Sequence, residues 1–436
     1  MAALAAGGAG RRVVVLEQLA KPGLKLLATG GGRCNLTHES PDEDYVAAFG
    51  RQGRFILPAL EVMGPEHLRQ YFAGLGVPTH IEEGGLVFLD SNSARSVQSA
   101  LLARCDALGV QVLCDQKVER LTVANPDSRE DTERPSTDSK GNLARPSESP
   151  SFLVTTTSFP GTTTSGVQQS RPLAASQVLS ASRVIIATGG KGYAQLGGTG
   201  GGYELARQAG HEITPLYPAL VPLLCGQEWP RSCAGIAITA RVWLDLPGQR
   251  AKESVGPVLF THRGVSGPAV LNLSGLACQA LGQGKAVTLH LALQPSRGLA
   301  EWRSQIDLWR RKQGSRRIGK LLADMLPARL AEAICRACGL DPVSATAQLT
   351  AAQQESLADT LSDAKLTITG SEGWQQAMVT GGGVALKQVD PRTMNSRICP
   401  GLFLAGEVLD LHGPSGGYNL QWALASGYLA GRSTGF

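Results

Sequence analysis

Three short runs of aliphatic residues stand out in the hydrophobic pattern of the chain. They are RVVVL at Arg12–Leu16, RVIIAT at Arg183–Thr188 and GLFLA at Gly401–Ala405. Each run is too short for a buried helix and is typical of a strand covered on both faces, as in a parallel sheet. An acidic residue or a glycine follows each run, so we expect a ligand-binding edge where these strands end.

The pattern between the second and third runs differs. Short strands with turn signals, including Ile236–Leu244, Pro257–Thr261 and Ala286–Leu293, predict an all-β unit within 214–372. Helical periodicity predicts a helical subdomain at about 300–362, followed by a returning strand at Lys365–Thr369. Since strands of one sheet lie on both sides of this region, the sequence predicts an α/β domain interrupted by an inserted domain.

The boundaries of this interrupted domain follow from the same pattern. We predict its three parts at 1–123, 178–213 and 373–436, with mostly helical patterns from the first glycine-rich loop to about Leu108. The stretch 124–177 is rich in Ser, Thr, Pro, Asp and Gln. Such a composition buries too little apolar surface to offset its ordering entropy, so we predict a disordered insertion there.

Composition excludes several classes of protein. The 436 residues carry 41 Lys and Arg against 36 Asp and Glu, with 53 glycines and only 5% aromatic residues. Neither a coiled coil nor a nucleic-acid module has this composition, so we expect no nucleic-acid partner. No apolar run is long enough to span a bilayer, and nine cysteines without a regular spacing favour reduced thiols and a cytoplasmic protein.

The acid at the end of the first run carries specific chemistry. A strand that ends in an acid such as Glu17 is typical of the second strand of a dinucleotide-binding unit, where the carboxylate binds ribose hydroxyls; the alternative is a surface glutamate. The GxGxxG fingerprint belongs about 20 residues earlier, which lies before Met1. We therefore expect that the chain starts one strand and one phosphate-binding turn too late.

Four longer motifs identify a resemblance. They are GLKLLATGGGRCNLTHES, VIIATGGKGYAQLGGTGGGYELARQAGHEI, LFTHRGVSGPAVLNLSG, and the C-terminal stretch from VTGGGVALKQVD to ASGYLAG. Together they resemble the bacterial BaiN/YhiN-type FAD-dependent flavoproteins, which include proteins similar to bile-acid reductases and to aminoacetone oxidases. The resemblance implies a discontinuous Rossmann-like FAD-binding domain with an inserted β-barrel-like domain that carries helices.

The resemblance also implies roles for residues on the adenosine side of FAD. Glu17 matches the ribose-binding acid, and Lys25 with residues 29–35 matches the loop that passes the pyrophosphate toward the flavin. Val118 matches the position whose backbone meets the adenine, and residues 188–190 match the turn beside the adenosine half.

On the flavin side, three residues after the last run match a strand end that binds the ribityl or phosphate groups, and the next helix start matches the one that faces the flavin pyrimidine edge. A helix N-terminus suits that edge because reduced flavin carries negative charge there. The residues that the resemblance assigns to FAD are Glu17, Lys25, Thr29, Gly30, Gly31, Gly32, Arg33, Cys34, Asn35, Val118, Thr188, Gly189, Gly190, Gly406, Glu407, Asp410, Gly417, Tyr418, Asn419, Leu420 and Gln421.

The expected reaction is hydride or electron transfer through FAD to or from a small organic substrate. Two reactions stay open: reduction of an activated C=C bond with NAD(P)H as a transient donor, or oxidation of a small amine by oxygen. The alternative is a flavin-free remnant of such an enzyme.

Candidate reacting side chains are few. His262 is a candidate proton donor, and Cys34 is either a redox thiol or a small packing residue. His412 and Tyr418 are lesser candidates. We expect no metal site, because the other five histidines lack convergent partners and the Cys335–Cys338 pair lies in a helical pattern; these five are His38, His67, His80, His211 and His290.

Overall fold

The chain forms two units because the strands of one domain come from both sides of an inserted segment. The computed structural model describes residues 1–124, 151–158, 175–246 and 253–435. Unit 1 comprises Met1–Leu216 and Thr380–Phe436, and unit 2 comprises Tyr217–Val379.

The first part of unit 1 alternates short strands with helices. In chain order its elements are α1 (Ala2–Gly8), β1 (Val14–Leu16), α2 (Leu24–Leu27), β2 (Thr37–His38), α3 (Asp42–Ala48), α4 (Leu57–Met63), α5 (Pro65–Gly74), β3 (Thr79–Ile81), β4 (Leu86–Leu89), α6 (Ala94–Ala107), β5 (Gln111–Leu113), β6 (Gln116–Ala124), β7 (Ser151–Ser158), β8 (Ala175–Ala181), β9 (Val184–Ile186) and α7 (Gly201–Gln208).

Unit 2 follows, and the chain then returns to unit 1. The elements of unit 2 are β10 (Tyr217–Ala219), β11 (Leu223–Cys225), α8 (Glu228–Ser232), β12 (Ala237–Asp245), β13 (Glu253–Phe260), β14 (Gly264–Ser266), α9 (Pro268–Gly282), β15 (Val287–Ala292), α10 (Leu299–Lys312), α11 (Ile318–Ala323), α12 (Ala328–Ala337), α13 (Ala351–Ser362) and β16 (Ala364–Ser371). The chain re-enters unit 1 through β17 (Val379–Gly381), β18 (Leu402–Leu404) and α14 (Tyr418–Ser433).

The three apolar runs form parallel strands, as predicted, but the predicted burial holds throughout only for β18; Val14 of β1 is 41% exposed. β1 pairs in parallel with β5, placing Val15 opposite Val112. β9 pairs in parallel with β18, placing Ile185 opposite Phe403. The helix α14 packs against α1 and α4 and buries Trp422 in the core of unit 1. The acid and the glycines that follow these strands lie at their carboxyl ends.

The prediction of a disordered insertion over 124–177 is wrong for its strand segments. β7 is the central strand of an antiparallel sheet with β6 and β8 on either side. Phe152, Val154 and Thr156 are buried, while Leu153 between them is 40% exposed. Buried side chains alternate with less buried ones from Phe152 to Thr157, and the valine and threonines among them are β-branched, which favours a strand despite the polar composition around it. The remainder of the predicted insertion lies outside the described residues.

The helical prediction for the region before Leu108 is also incomplete. β2, β4 and β3 form a three-stranded antiparallel sheet within that stretch. Each of these strands spans two to four residues, which is too short for periodicity to reveal.

Unit 2 contains the predicted barrel. Six antiparallel strands close in the order β11, β14, β13, β12, β15 and β16, and β16 is the predicted returning strand. Inward-facing side chains such as Val242, Leu289 and Leu366 are fully buried and fill the core. Helices α10 to α13 form the helical part of this unit. Among the described helices, none combines the length and the apolar character that crossing a bilayer requires.

Candidate functional site

The acid at the end of β1 is placed by the strand itself. The backbone N–H of Glu17 donates to the Leu113 carbonyl at 2.9 Å, which extends the pairing of β1 with β5 by one residue. The Oε1 atom of Glu17 accepts a hydrogen bond from the Leu19 N–H at 2.9 Å. Burial raises the pKa of this carboxyl above its ordinary value. The side chain is thus half-buried at the strand end, where a ribose-binding acid belongs.

A neighbouring contact joins this strand end to the loop after β9. The Gln18 amide donates from Nε2 to the Gly197 carbonyl at 2.7 Å. A Cβ on Gly202, in the first turn of α7, would lie 1.8 Å from the Thr188 hydroxyl oxygen, so only glycine allows this approach. These contacts place the predicted turn at 188–190 and the end of β1 on the same side of unit 1.

The centre of the candidate site is an ion pair between two predicted FAD residues. The ammonium of Lys25 lies 2.7 Å from Oε2 of Glu407, and the two side chains are 28% and 19% exposed. The other carboxylate oxygen, Oε1, accepts a hydrogen bond from the Thr380 N–H at 2.9 Å. The Thr380 hydroxyl in turn accepts from the backbone N–H of Lys191 at 2.8 Å.

This centre leaves no room for a side chain at Gly190. A Cβ there would lie 2.2 Å from Oγ1 of Thr380 and 2.4 Å from Oε1 of Glu407. The backbone of Gly190 therefore packs directly against the side chains of Thr380 and Glu407, which come from distant parts of the sequence, and only glycine leaves room for this contact.

The TGGG loop has a backbone that favours glycine. Gly30, Gly31 and Gly32 all have positive φ, between 56° and 90°. A Cβ on Gly30 would lie 2.7 Å from the backbone nitrogen of Asn35, whereas no described heavy atom comes within 4 Å of the position that a Cβ on Gly31 would take. The loop is therefore closed on one side and leaves open space beside Gly31, as a loop that approaches a ligand with its backbone does.

Cys34 follows this loop and is fully buried with a φ of 60°. Burial raises the pKa of its thiol to about 11, with a hydrogen bond to Thr29 acting in the opposite direction. At neutral pH the group is a thiol and not the nucleophilic thiolate. Of its two predicted roles, the structure favours the packing residue.

The start of α14 is packed tightly against β2. Gly417 has a φ of 96°, and a Cβ there would lie 2.3 Å from the carbonyl oxygen of Thr37. The side-chain amide of Asn35 lies between two carbonyls, those of Thr37 and Val87, and the N–H of Gly417. With its nitrogen facing the carbonyls, the amide donates to both of them and its oxygen accepts from the Gly417 N–H. The loop before the helix is tied by Asn419, whose Oδ1 accepts from the Gly413 N–H at 2.8 Å.

The first turn of α14 contains a buried polar atom that has no hydrogen-bond partner among the described residues. Gln421 is fully buried, and its Nε2 donates to the Met63 carbonyl at 2.6 Å. Its Oε1 has no hydrogen-bond partner among the described residues. Tyr418, one turn earlier, stacks on the ring of His38 at a centroid distance of 4.7 Å.

The prediction that five histidines lack convergent partners is wrong for His38, His80 and His290, each of which has a partner, whereas both ring nitrogens of the buried His211 lack a hydrogen-bond partner among the described residues. His38 also places Nδ1 3.2 Å from the Gly416 carbonyl. His80 lies 3.0 Å from Asp90, and His290 in unit 2 lies 2.7 Å from Asp363. Sequence reasoning missed these pairs because the partners come from neighbouring strands or loops. Within the described ranges, no three His, Cys, Asp or Glu side chains are arranged to hold a metal ion.

The other predicted residues are less central. Val118 is half-buried in β6 beside a shift in its register with β7. Burial raises the pKa of Asp410, while hydrogen bonds from the Thr214 side chain and the Gly382 backbone act in the opposite direction. His262 is exposed in the turn between β13 and β14 of unit 2, and its role as a proton donor stays a prediction.

The CxxC pair lies where the helical pattern predicts. Cys335 is fully buried in α12, and burial raises the pKa of its thiol to about 12. Cys338 caps the same helix and donates from Sγ to the Thr360 hydroxyl at 3.3 Å. Both thiols pack within unit 2.

Taken together, the strand ends of unit 1 fit a bound dinucleotide such as FAD. The backbone at Gly31 faces open space, a half-buried acid ends β1, and Gln421 carries an unpaired buried oxygen at a helix start. Lys25 is a partly exposed cation just before the loop, paired with Glu407. Sequence reasoning missed Thr380, although the glycine run that follows it was a usable signal.

Comparison with known proteins adds a family and several relatives. The profile of the HI0933-like protein Rossmann domain matches residues 1–147 and 150–433. The 3-dehydro-bile acid delta(4,6)-reductase of Clostridium scindens is 31% identical over 422 residues, which cover 97% of this chain and 92% of that protein. The ribosomal RNA dihydrouridine synthase of Escherichia coli is 30% identical over 426 residues, covering 97% and 92%, and that of Haemophilus influenzae is 27% identical over 422 residues, covering 96% and 91%.

Proposed function

The chain belongs to the HI0933-like Rossmann-domain family and is an FAD-dependent oxidoreductase, and from that premise we propose that it reduces a C=C bond conjugated with a carbonyl group. We propose a nicotinamide nucleotide as the electron donor. The observation that carries this choice is the shared chemistry in the names of the relatives.

Those names describe related reductions. A 3-dehydro-bile acid with Δ4 and Δ6 double bonds contains a conjugated enone, and a dihydrouridine is a uridine whose C5=C6 bond has been reduced. In both substrates the double bond is conjugated with a carbonyl group, which makes one carbon electrophilic. The expectation of no nucleic-acid partner is untested, and uracil in RNA is one of the two substrate classes that this proposal covers.

The geometry of unit 1 supports the cofactor half of the proposal. When bound, FAD supplies the hydride-transfer chemistry. We infer that the half-buried Glu17 at the end of β1 accepts from ribose hydroxyls, and that Lys25, which precedes the TGGG loop, meets the phosphate charge. The N-terminus of α14 offers backbone N–H groups to the pyrimidine edge of the flavin, where negative charge is favourable.

The residues around Lys25 also hold it in place. Glu407 is fixed by the Thr380 N–H on one oxygen and pairs with Lys25 through the other. A lysine held in this way loses less side-chain entropy when it binds a phosphate than a free one would. We infer that the pair orients Lys25 before the cofactor binds.

The test separates the two open reactions. Purified holoprotein is reduced without oxygen by NADPH or NADH, and the reduced flavin is then mixed anaerobically with a cyclic enone or with a uridine-containing RNA transcript. We expect at least one acceptor to restore the oxidised flavin spectrum, with the reduced C=C bond found in the product by mass spectrometry. Reoxidation by oxygen alone, together with flavin reduction by aminoacetone, would contradict the proposal and favour the amine oxidase.

A further inference from the structure

Unit 1 contains an open surface depression whose lining residue Phe55 contacts α14. It is a hollow of about 620 Å³ between the segment 50–56 and the segment 386–397. A hollow of this size lies within the range of small-molecule sites. We refer to it as the basic hollow, because its described lining includes the four cations Arg51, Arg54, Lys387 and Arg397 and no carboxylate.

Two of these cations are unpaired. Arg51 and Arg54 are exposed, and neither makes an ion pair or hydrogen bond to a described residue. Lys387 lies 2.7 Å from Glu212 at the surface, and Arg397 lies 3.8 Å from Asp390. The positive charge of the basic hollow is therefore only partly compensated, which favours an anionic ligand.

The basic hollow also has an aromatic wall close to the candidate flavin site. Phe55 lines it and makes an edge contact with Trp422 of α14 at a centroid distance of 6.1 Å. Trp422 directly follows Gln421 in the first turn of that helix. A ligand on Phe55 would therefore lie one side chain away from the helix that is predicted to face the flavin.

We propose that the basic hollow binds the phosphorylated adenosine end of NADPH. The 2′-phosphate would be bound by Arg51 and Arg54, because the planar guanidinium group matches the geometry of phosphate oxygens, and the adenosine would pack on Phe55. The inference rests on the proposed function, which requires a nicotinamide donor. The 436 residues contain no GxGxxG fingerprint, so binding in the basic hollow would use side-chain cations and not a dinucleotide-binding turn.

The first experiment measures binding without turnover. Calorimetric titration of the holoprotein with 2′,5′-ADP and with 5′-AMP tests the 2′-phosphate directly, since the two probes differ in that group. We expect 2′,5′-ADP to bind at least about tenfold more tightly, and the double variant Arg51→Gln with Arg54→Gln to abolish that difference. The matched control is Lys312→Gln with Arg317→Gln, which removes two exposed cations from unit 2 and should change neither affinity.

The second experiment follows flavin reduction by NADPH and NADH in anaerobic stopped flow. The double variant should raise the dissociation constant for NADPH at least about tenfold and that for NADH less than about threefold, with equal limiting rates. Fast reduction by NADPH with unchanged 2′,5′-ADP binding in the double variant would overturn the basic hollow but leave the proposed function intact. Loss of uridine-containing RNA binding in the double variant with unchanged 2′,5′-ADP binding would overturn it in favour of an RNA site.

If neither nicotinamide nucleotide reduces the flavin, the proposed donor is wrong. The basic hollow then stands only when the double variant still removes the preference for 2′,5′-ADP, and it falls when the wild-type protein shows no such preference. The two failures are therefore distinguished by the calorimetric result.

Discussion

The strand β7 offers a direct test of where the core of unit 1 lies. Phe152 is fully buried on the central strand of the β6–β7–β8 sheet, beside the buried residues Leu121 and Val154. Leu153 on the same strand is 40% exposed on the other face. Replacing a fully buried phenylalanine by alanine removes its transfer free energy and leaves a cavity, at a cost of about 3–5 kcal/mol. The same replacement at the exposed Leu153 should cost less than about 1 kcal/mol.

The assay is urea unfolding of the holoprotein, followed by the release of flavin fluorescence. We expect Phe152→Ala to lower the midpoint strongly with little change in slope, and Leu153→Ala to leave the midpoint almost unchanged. Equal effects of the two variants would refute the assignment of β7 to the core.

Two deletions examine the same strand on a larger scale. Ala124 and Ser151 are paired across β6 and β7, so a two-residue Asn-Gly turn in place of 125–150 fits the register and should preserve flavin content. Deleting 125–176 also removes β7, and we expect that protein to lose its cooperative unfolding transition. Retention of full stability after the longer deletion would contradict the structure.

Three further predictions concern the candidate site itself. Glu17→Ala should weaken FAD binding at least about tenfold, since a charge-assisted hydrogen bond contributes about 1.5–3 kcal/mol. Because burial raises the pKa of Glu17, acidification should protonate this carboxyl and weaken FAD binding at a higher pH than it would for an exposed glutamate. Measuring the FAD dissociation constant of both proteins as a function of pH checks both points. Cys34 should resist alkylation by iodoacetamide at about pH 8, because its thiol is buried and protonated. The Cys34→Ala variant should reduce its flavin at the same rate as the unmodified protein. Rapid alkylation, or a lower rate in the variant, would favour a redox role for Cys34. Gly190→Ala should greatly reduce flavin content, because the added Cβ would overlap Thr380 and Glu407. Gly74→Ala is the control and should keep its flavin, because a Cβ there meets no described atom within 4 Å. Equal flavin content in the two variants would show that the contact at Gly190 is not required.

The sequence predicts the strand ends of the site well because their signals are local. A short apolar run, β-branched in β1 and β9 and of Leu and Phe in β18, is enough to place these strands, and an acid or a glycine after such a run lies at a carboxyl end. The hydrophobic pattern alone does not assign these strand ends to FAD; that assignment came from the resemblance of the longer motifs to the flavoprotein family. Glu17 alone remained compatible with a surface position.

The strand β7 shows where composition misleads. Averaged over 124–177, Ser, Thr and Pro dominate, and that average predicts disorder. Phe152, Val154 and Thr156 of β7 are nevertheless buried, with less buried side chains between them, and threonine is itself a β-branched residue that favours strands. A composition window longer than a strand conceals a run of only six apolar and β-branched residues, Phe152 to Thr157.

The contacts at the centre of the site could not have been predicted from any local pattern, because they join segments that are far apart in the chain. Thr380 is the first residue of unit 1 after the inserted unit, and its N–H donates to Glu407 while its hydroxyl accepts from Lys191. The point at which the chain re-enters unit 1 is thus itself part of the site that orients Lys25. A substitution at Thr380 should therefore act on the cofactor through Glu407, even though Thr380 follows no aliphatic run and carries no charge. Thr380 thus lies directly after the inserted unit and also contacts the candidate site through Glu407.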